Sequence, residues 1–116
     1  MDQGEIEKSK THILIEIIDY VPNSVVSKTI IRKTSGNISV LAIDTGETLA
    51  EKISPFDTYL QIIEGNAEVV IDSKICALKT GEAIIVPAHT SNFVKANERF
   101  KMISTIIKSG YEEASL

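Results

Sequence analysis

Three side chains near the middle of the chain could together bind an anion. Lys52 supplies an ammonium group, and Ser54 and Thr58 supply hydroxyl groups. An ammonium group only donates hydrogen bonds, whereas a hydroxyl both donates and accepts them, so the set suits a carboxylate or a phosphate. In the alternative interpretation, Lys52 extends its ammonium to water and the two hydroxyls belong to a satisfied polar core.

The elements that position these residues are two strands joined by a turn. Apolar-rich segments flank the sequence Ser-Pro-Phe-Asp at residues 54–57, and Gly46 and Gly65 close the whole stretch. Alternate residues of a strand share a face. The face that carries Lys52, Ser54 and Thr58 therefore also carries Ala50, Leu60 and Ile62. Asp57 is interpreted as a turn residue whose side chain caps local backbone donors.

The rest of the chain also favours strands. It contains 19 Ile and 8 Val, and such β-branched side chains suit a pleated, half-buried surface. Turn residues rich in Gly, Asn, Asp and Pro separate nine apolar segments. These predicted strands are 25–33, 38–44, 48–53, 58–63, 67–71, 75–78, 82–86, 90–95 and 100–108. Short strands at this spacing are typical of an all-β sandwich or barrel.

The stretch from Gly46 to Gly65 resembles the first motif of the cupin family. In that motif a glycine is followed after five residues by His-x-His, then by Glu and finally by another glycine. The spacing fits without a gap, but the positions of the two histidines and the glutamate hold Lys52, Ser54 and Thr58.

The stretch from Gly81 to Asn92 resembles the second cupin motif. Gly81 and Pro87 have the family spacing, His89 stands where the family has a glycine, and Asn92 stands where it has a metal-binding histidine. The two motifs, in order and separated by one hairpin, imply an antiparallel jelly-roll β-barrel. The barrel is expected to span roughly residues 25–108 of a single domain, 1–116, with tails at 1–10 and 109–116.

The resemblance also places the four substituted positions together at the mouth of the barrel. The typical family site binds its metal with three imidazoles and one carboxylate, nitrogen and oxygen ligands that suit transition metals. This chain has only two histidines, His12 and His89, so we expect no metal and no other cofactor. The candidate residues of a small-molecule pocket are instead Lys52, Ser54, Thr58, Asn92 and His89.

Two candidate residues have further interpretations. His89 could act as a general base or as a lone ligand, or it could be a hydrogen-bonded surface residue. Lys52 could form a Schiff base if burial removed its proton, although the sequence shows no activating partner. Residues 11–20 fit either a strand or a short helix, and we expect a short helix or turn packed on the barrel.

Composition limits the partners and the location. The net charge of −4 argues against nucleic-acid binding, and no segment reaches the roughly 18 apolar residues of a membrane span. The polar residues 1–10 do not resemble a signal peptide and the single cysteine, Cys76, cannot form an internal disulfide, so we expect a cytoplasmic location. The resemblance implies a homodimer, in which pairing would cover exposed strand edges.

Three hypotheses about function remain open at this point. The first is a metal-free barrel that binds a small metabolite, anionic if Lys52 takes part. The second is an enzyme that uses His89 and Lys52 or an atypical metal site. The third is a non-catalytic dimeric scaffold. The fold alone cannot choose among them, because the same barrel carries many unrelated functions.

Overall fold

The computed structural model describes residues 5–108, with backbone only for residues 51 and 52. Within this range, one 3₁₀ turn, Leu14–Glu16, precedes nine strands. The strands are β1 (Val25–Lys33), β2 (Gly36–Ile43), β3 (Thr48–Lys52), β4 (Thr58–Glu64), β5 (Asn66–Ile71), β6 (Lys74–Lys79), β7 (Ala83–Val86), β8 (Asn92–Lys95) and β9 (Phe100–Ile107). All nine predicted strands are present, with ends within two residues of those predicted.

The strands form two antiparallel sheets. The first sheet has the order β1-β2-β9-β4-β7, and the second has the order β3-β8-β5-β6. Consecutive strands such as β3 and β4 therefore lie in opposite sheets, which is the connectivity of a jelly roll. The fold is all-β and antiparallel, as the sequence predicts.

The main core fills the space between the sheets. Its fully buried members include Ile43, Ile62, Val69, Phe100 and Met102. These residues alternate with outward-facing neighbours along their strands, as the period of a strand requires. The inward face of β4 thus continues from Ile62 through Leu60 to Thr58, which brings Thr58 to the end of the core.

The N-terminal segment packs on the outer face of the five-stranded sheet. Ile18 is buried there against Val40 and Ala42 of β2, and Tyr20 packs beside them. The 3₁₀ turn confirms the expectation of a short helix or turn in residues 11–20. A cluster of charged and aromatic residues holds this segment. In it, the Tyr20 hydroxyl donates to Glu64 Oε2 at 2.6 Å, and buried Lys101 Nζ donates to the Ile15 carbonyl at 2.5 Å.

Candidate functional site

Two loops meet at one end of the core. Residues 53–57 connect β3 to β4, and residues 87–91 connect β7 to β8. The His89 N–H donates to the Ser54 carbonyl at 2.6 Å, and the Ala88 N–H donates to Asp57 Oδ1 at 2.8 Å. Asp57 therefore caps a donor that lies 31 residues away in the sequence. These bonds fix Ser54 relative to the second loop.

Three of the predicted pocket residues line one cavity beneath these loops. Ser54, Thr58 and Asn92 share its wall with Ser104 of β9, and the cavity volume is about 50 Å³. The remaining lining comes from strands of both sheets and is mostly aliphatic: Leu49, Ala50, Leu60, Phe93, Val94 and Ile106. Apolar walls with a few convergent polar groups are typical of a small-molecule site.

The polar groups of the cavity differ in how many hydrogen bonds they already make within the protein. Ser54 Oγ accepts from the Phe56 N–H at 3.1 Å, which leaves its own proton free to donate. Asn92 Nδ2 donates to the Thr90 carbonyl at 3.2 Å. The hydroxyls of Thr58 and Ser104 make no side-chain hydrogen bond within residues 5–108, and no buried polar side-chain atom there lacks a partner. Both hydroxyls are therefore accessible to a molecule in the cavity.

Lys52 is placed only through its backbone. It is the last residue of β3, and its Cα is paired with that of Asn92 in β8, after an irregularity in the register that follows Leu49. The side chain of Lys52 lies outside what the structure describes. Its predicted contact with an anion therefore stays a prediction.

His89 lies at the rim and does not line the cavity. Its side chain is exposed, and its φ of 61° falls in the left-handed region that favours glycine. The cupin motif that this stretch resembles has a glycine at this position, and glycine is the residue that adopts a positive φ most readily. The structure brings the backbone of His89 to Ser54, but it does not bring the imidazole into the cavity.

The donor set does not fit a transition-metal ion. Neutral hydroxyl and amide groups occupy three of the family's four ligand positions, whereas these metals prefer imidazole, thiolate or carboxylate ligands. Among the described residues, no group of three or more His, Cys, Asp or Glu side chains is close enough to hold a metal ion.

Ser104 is the cavity residue that the sequence analysis did not identify. It lies on β9, far from both motifs, and no turn or spacing marks it. The register of β9 against β4 pairs Ser104 with Leu60, which fixes its inward orientation. Only the strand alternation of Phe100, Met102 and Ser104 could have indicated this, once the inward face of β9 was known.

Comparison with known proteins supports the fold. No family model and no curated protein matches the chain. Among solved structures, a conserved protein of unknown function from Streptococcus pyogenes is similar, with 27% identity and a TM-score of 0.85 over 90% of this chain and 92% of that one. A cupin superfamily protein from Desulfitobacterium hafniense shows 24% identity and a TM-score of 0.83, over 89% and 94%.

A cupin 2 conserved barrel domain protein from Leptotrichia buccalis is also similar, with 27% identity and a TM-score of 0.79. That match covers 82% of this chain and 46% of the other. The resemblance in the two motifs is thus confirmed at the level of the fold. Within residues 5–108, no helix has the length and apolar character needed to cross a membrane.

Proposed function

We propose that this small cupin-type domain binds a small anion in its barrel cavity without a metal. The observation that supports the proposal is the convergence of Ser54, Thr58 and Asn92 on one cavity, to which Ser104 adds a further hydroxyl. These groups offer hydrogen-bond donors to the oxygens of a carboxylate or a phosphate. Apolar walls around them strengthen such bonds by excluding water.

The size of the cavity limits the ligand. Small-molecule pockets usually enclose roughly 300–1,000 Å³, whereas this cavity has about 50 Å³. The space suits a group of a few non-hydrogen atoms, such as acetate or formate, or the acidic end of a longer molecule that continues through the mouth. We favour a carboxylate, because it is smaller than a phosphate and needs only one compensating positive charge.

We assign that charge to Lys52. A carboxylate that enters an apolar site loses its hydration. If only neutral donors bind it there, the charge stays uncompensated, which is unfavourable. The backbone of Lys52 lies opposite Asn92 in the β3–β8 ladder, beside the polar side of the cavity. The charge-assisted hydrogen bond to an ammonium is stronger than a neutral one.

The test is a titration of ¹⁵N-labelled protein with acetate, formate and inorganic phosphate, followed by amide chemical shifts. We expect saturable shifts at Ser54, Thr58, Asn92 and Ser104. Lys52→Met should weaken the binding of acetate about tenfold. Lys95→Met is the matched control, because Lys95 is an exposed lysine on β8, the strand beside β3, and should leave the affinity unchanged.

Two results would contradict this proposal. Shifts confined to exposed lysines would indicate non-specific binding of the anion. Equal affinities in the Lys52→Met and wild-type proteins, with Thr58→Val also without effect, would exclude the cavity and favour the scaffold hypothesis. A tighter affinity for phosphate than for carboxylates would change the ligand class but keep the site.

A further inference from the structure

A hollow outside the barrel lies between the N-terminal segment and β1. One wall belongs to the stretch 5–12 and the other to the stretch 30–33, and we call this space the N-terminal hollow. Its volume is about 420 Å³, against about 50 Å³ for the barrel cavity, and the two share no lining residue. Pockets that bind small molecules usually have roughly 300–1,000 Å³. The N-terminal hollow therefore has room for a whole small molecule.

A β-bulge in β1 supplies the apolar floor of the hollow. Thr29 and Ile31 pair with successive residues of β2, so Ile30 is the extra residue of the bulge. Neighbouring residues of a regular strand face opposite sides, yet both Ile30 and Ile31 line the hollow, because a bulge redirects a side chain. Bulges are frequent next to functional sites. The irregularity thus doubles the apolar surface that β1 offers at this point.

Hydrogen bonds hold the N-terminal wall in place. Glu5 Oε2 accepts from the Arg32 N–H at 2.7 Å on the edge strand of the sheet. His12 Nε2 donates to the Glu7 carbonyl at 2.8 Å. Ile6 follows the first of these attachments and lines the hollow together with the isoleucines of β1. Because its walls are already fixed, the hollow needs little ordering when a molecule enters, which favours binding.

The rim of the hollow has more positive than negative charge. Lys10 Nζ lies 3.9 Å from the carboxylate of Glu7, and the carboxylate of Glu5 accepts from the backbone. Within residues 5–108, the exposed ammonium groups of Lys8 and Lys33 take part in no ion pair or hydrogen bond. The whole chain has a net charge of −4, so this local excess of cations is a distinct feature that attracts an anion.

We propose that the N-terminal hollow binds a monocarboxylate with an apolar chain, as a second site independent of the barrel cavity. The chain lies against Ile6, Ile30 and Ile31, where its removal from water favours binding in proportion to the apolar area covered. The carboxylate lies at the rim beside Lys8 and Lys33. It stays partly hydrated there, which avoids the cost of burying a charge.

The test is a titration with hexanoate, octanoate and octylammonium, followed by the ¹³C-methyl signals of isoleucine. We expect saturable shifts at Ile6, Ile30 and Ile31. Each further CH₂ that is buried should strengthen binding about two- to fourfold, so octanoate should bind about tenfold more tightly than hexanoate. Octylammonium has a similar chain and the opposite charge, and it should bind at least about threefold more weakly than octanoate. Acetate, which lacks the chain, should leave these methyl signals unchanged.

Lys33→Gln and Lys28→Gln form a matched pair of variants. Both lysines are exposed on β1, and Lys33 lines the hollow whereas Lys28 does not. Lys33→Gln should weaken the binding of octanoate about threefold without weakening that of octylammonium. Lys28→Gln should change neither affinity. The opposite responses of the two ligands separate a charge contact from a general loss of structure.

Ile31→Asp and Ile75→Asp test the apolar floor. Ile31 is 43% exposed, and its replacement places a carboxylate in the hollow, which should weaken the binding of octanoate at least about tenfold. Ile75 is 63% exposed on β6 in the opposite sheet, so its replacement should have no effect. Circular dichroism would verify the fold of both variants. If Ile31→Asp does not fold, the lysine pair still decides the question.

Three results would overturn the proposal. The first is the absence of saturable shifts at Ile6, Ile30 and Ile31 with octanoate. The second is an equal affinity for octanoate and octylammonium, which would show that the rim does not select an anion. The third is an occupant other than a carboxylate. Nuclear Overhauser contacts between Ile31 and Met1 would show that the chain fills its own hollow, and methyl shifts caused by protein concentration alone would show that a second copy covers it.

Discussion

His89 adopts a left-handed backbone conformation at a position where the cupin motif has a glycine. Its φ of 61° costs an L residue about 1 kcal/mol relative to glycine. His89→Ala and His89→Gly both remove the imidazole, and only the second removes the strain. We therefore expect the Gly variant to exceed the Ala variant in free energy of unfolding by about 1 kcal/mol, measured by denaturant titration.

The same pair of variants also tests the role of the imidazole. The side chain is exposed and outside the cavity lining, so acetate should bind equally to both variants and to wild type. A loss of binding in both would show that the imidazole contributes to the site despite its position. Equal stabilities of the two variants would show that the left-handed conformation relaxes at no cost.

At the scale of elements, the N-terminal segment depends on Tyr20 for its position. Burial raises the pKa of the Tyr20 phenol above its usual value, and the hydrogen bond to Glu64 raises it further. The neutral phenol therefore donates throughout the physiological range, and this contribution to stability is lost only as the pH rises above the usual tyrosine pKa of about 10. The Arg99 guanidinium and the Lys101 ammonium lie over the Tyr20 ring, 4.7 and 4.9 Å from its centroid, and add cation–π attraction.

Tyr20→Phe should loosen this segment more than the barrel. The change removes the hydrogen bond from the phenol to the Glu64 carboxylate and should cost about 1 kcal/mol of stability. Hydrogen exchange of the Glu16 amide, which donates to the Ile13 carbonyl within the 3₁₀ turn, should accelerate at neutral pH. Amides paired between β5 and β6 serve as the internal control. Uniform acceleration in both regions would show that Tyr20 supports the whole fold instead.

The elements were predictable because each has a local signal. β-branched periodicity and turn residues mark the nine strands, and two motifs identify the jelly roll. The cluster of Tyr20, Glu64 and Lys101 had no such signal. Lys101 contacts Ile15 across 86 residues of sequence, and a sequence does not distinguish a buried lysine from an exposed one. The small volume of the cavity was equally hidden, since it depends on how side chains from both sheets pack.

At the scale of the whole molecule, the homodimer that the cupin resemblance implies would make stability depend on concentration. If folding and association are coupled, a hundredfold rise in concentration shifts the equilibrium by about 2.7 kcal/mol. An unfolding enthalpy of about 0.7 kcal/mol per residue gives about 160 kcal/mol for the dimer. These values predict a melting temperature about 6 °C higher at 200 μM than at 2 μM protein.

Scanning calorimetry at about 2 and 200 μM protein would measure this shift. A folded monomer that unfolds with a first-order equilibrium would show no dependence of its melting temperature on concentration. A wild-type melting temperature that does not change would therefore contradict the expected homodimer, and the barrel would be stable as a single subunit.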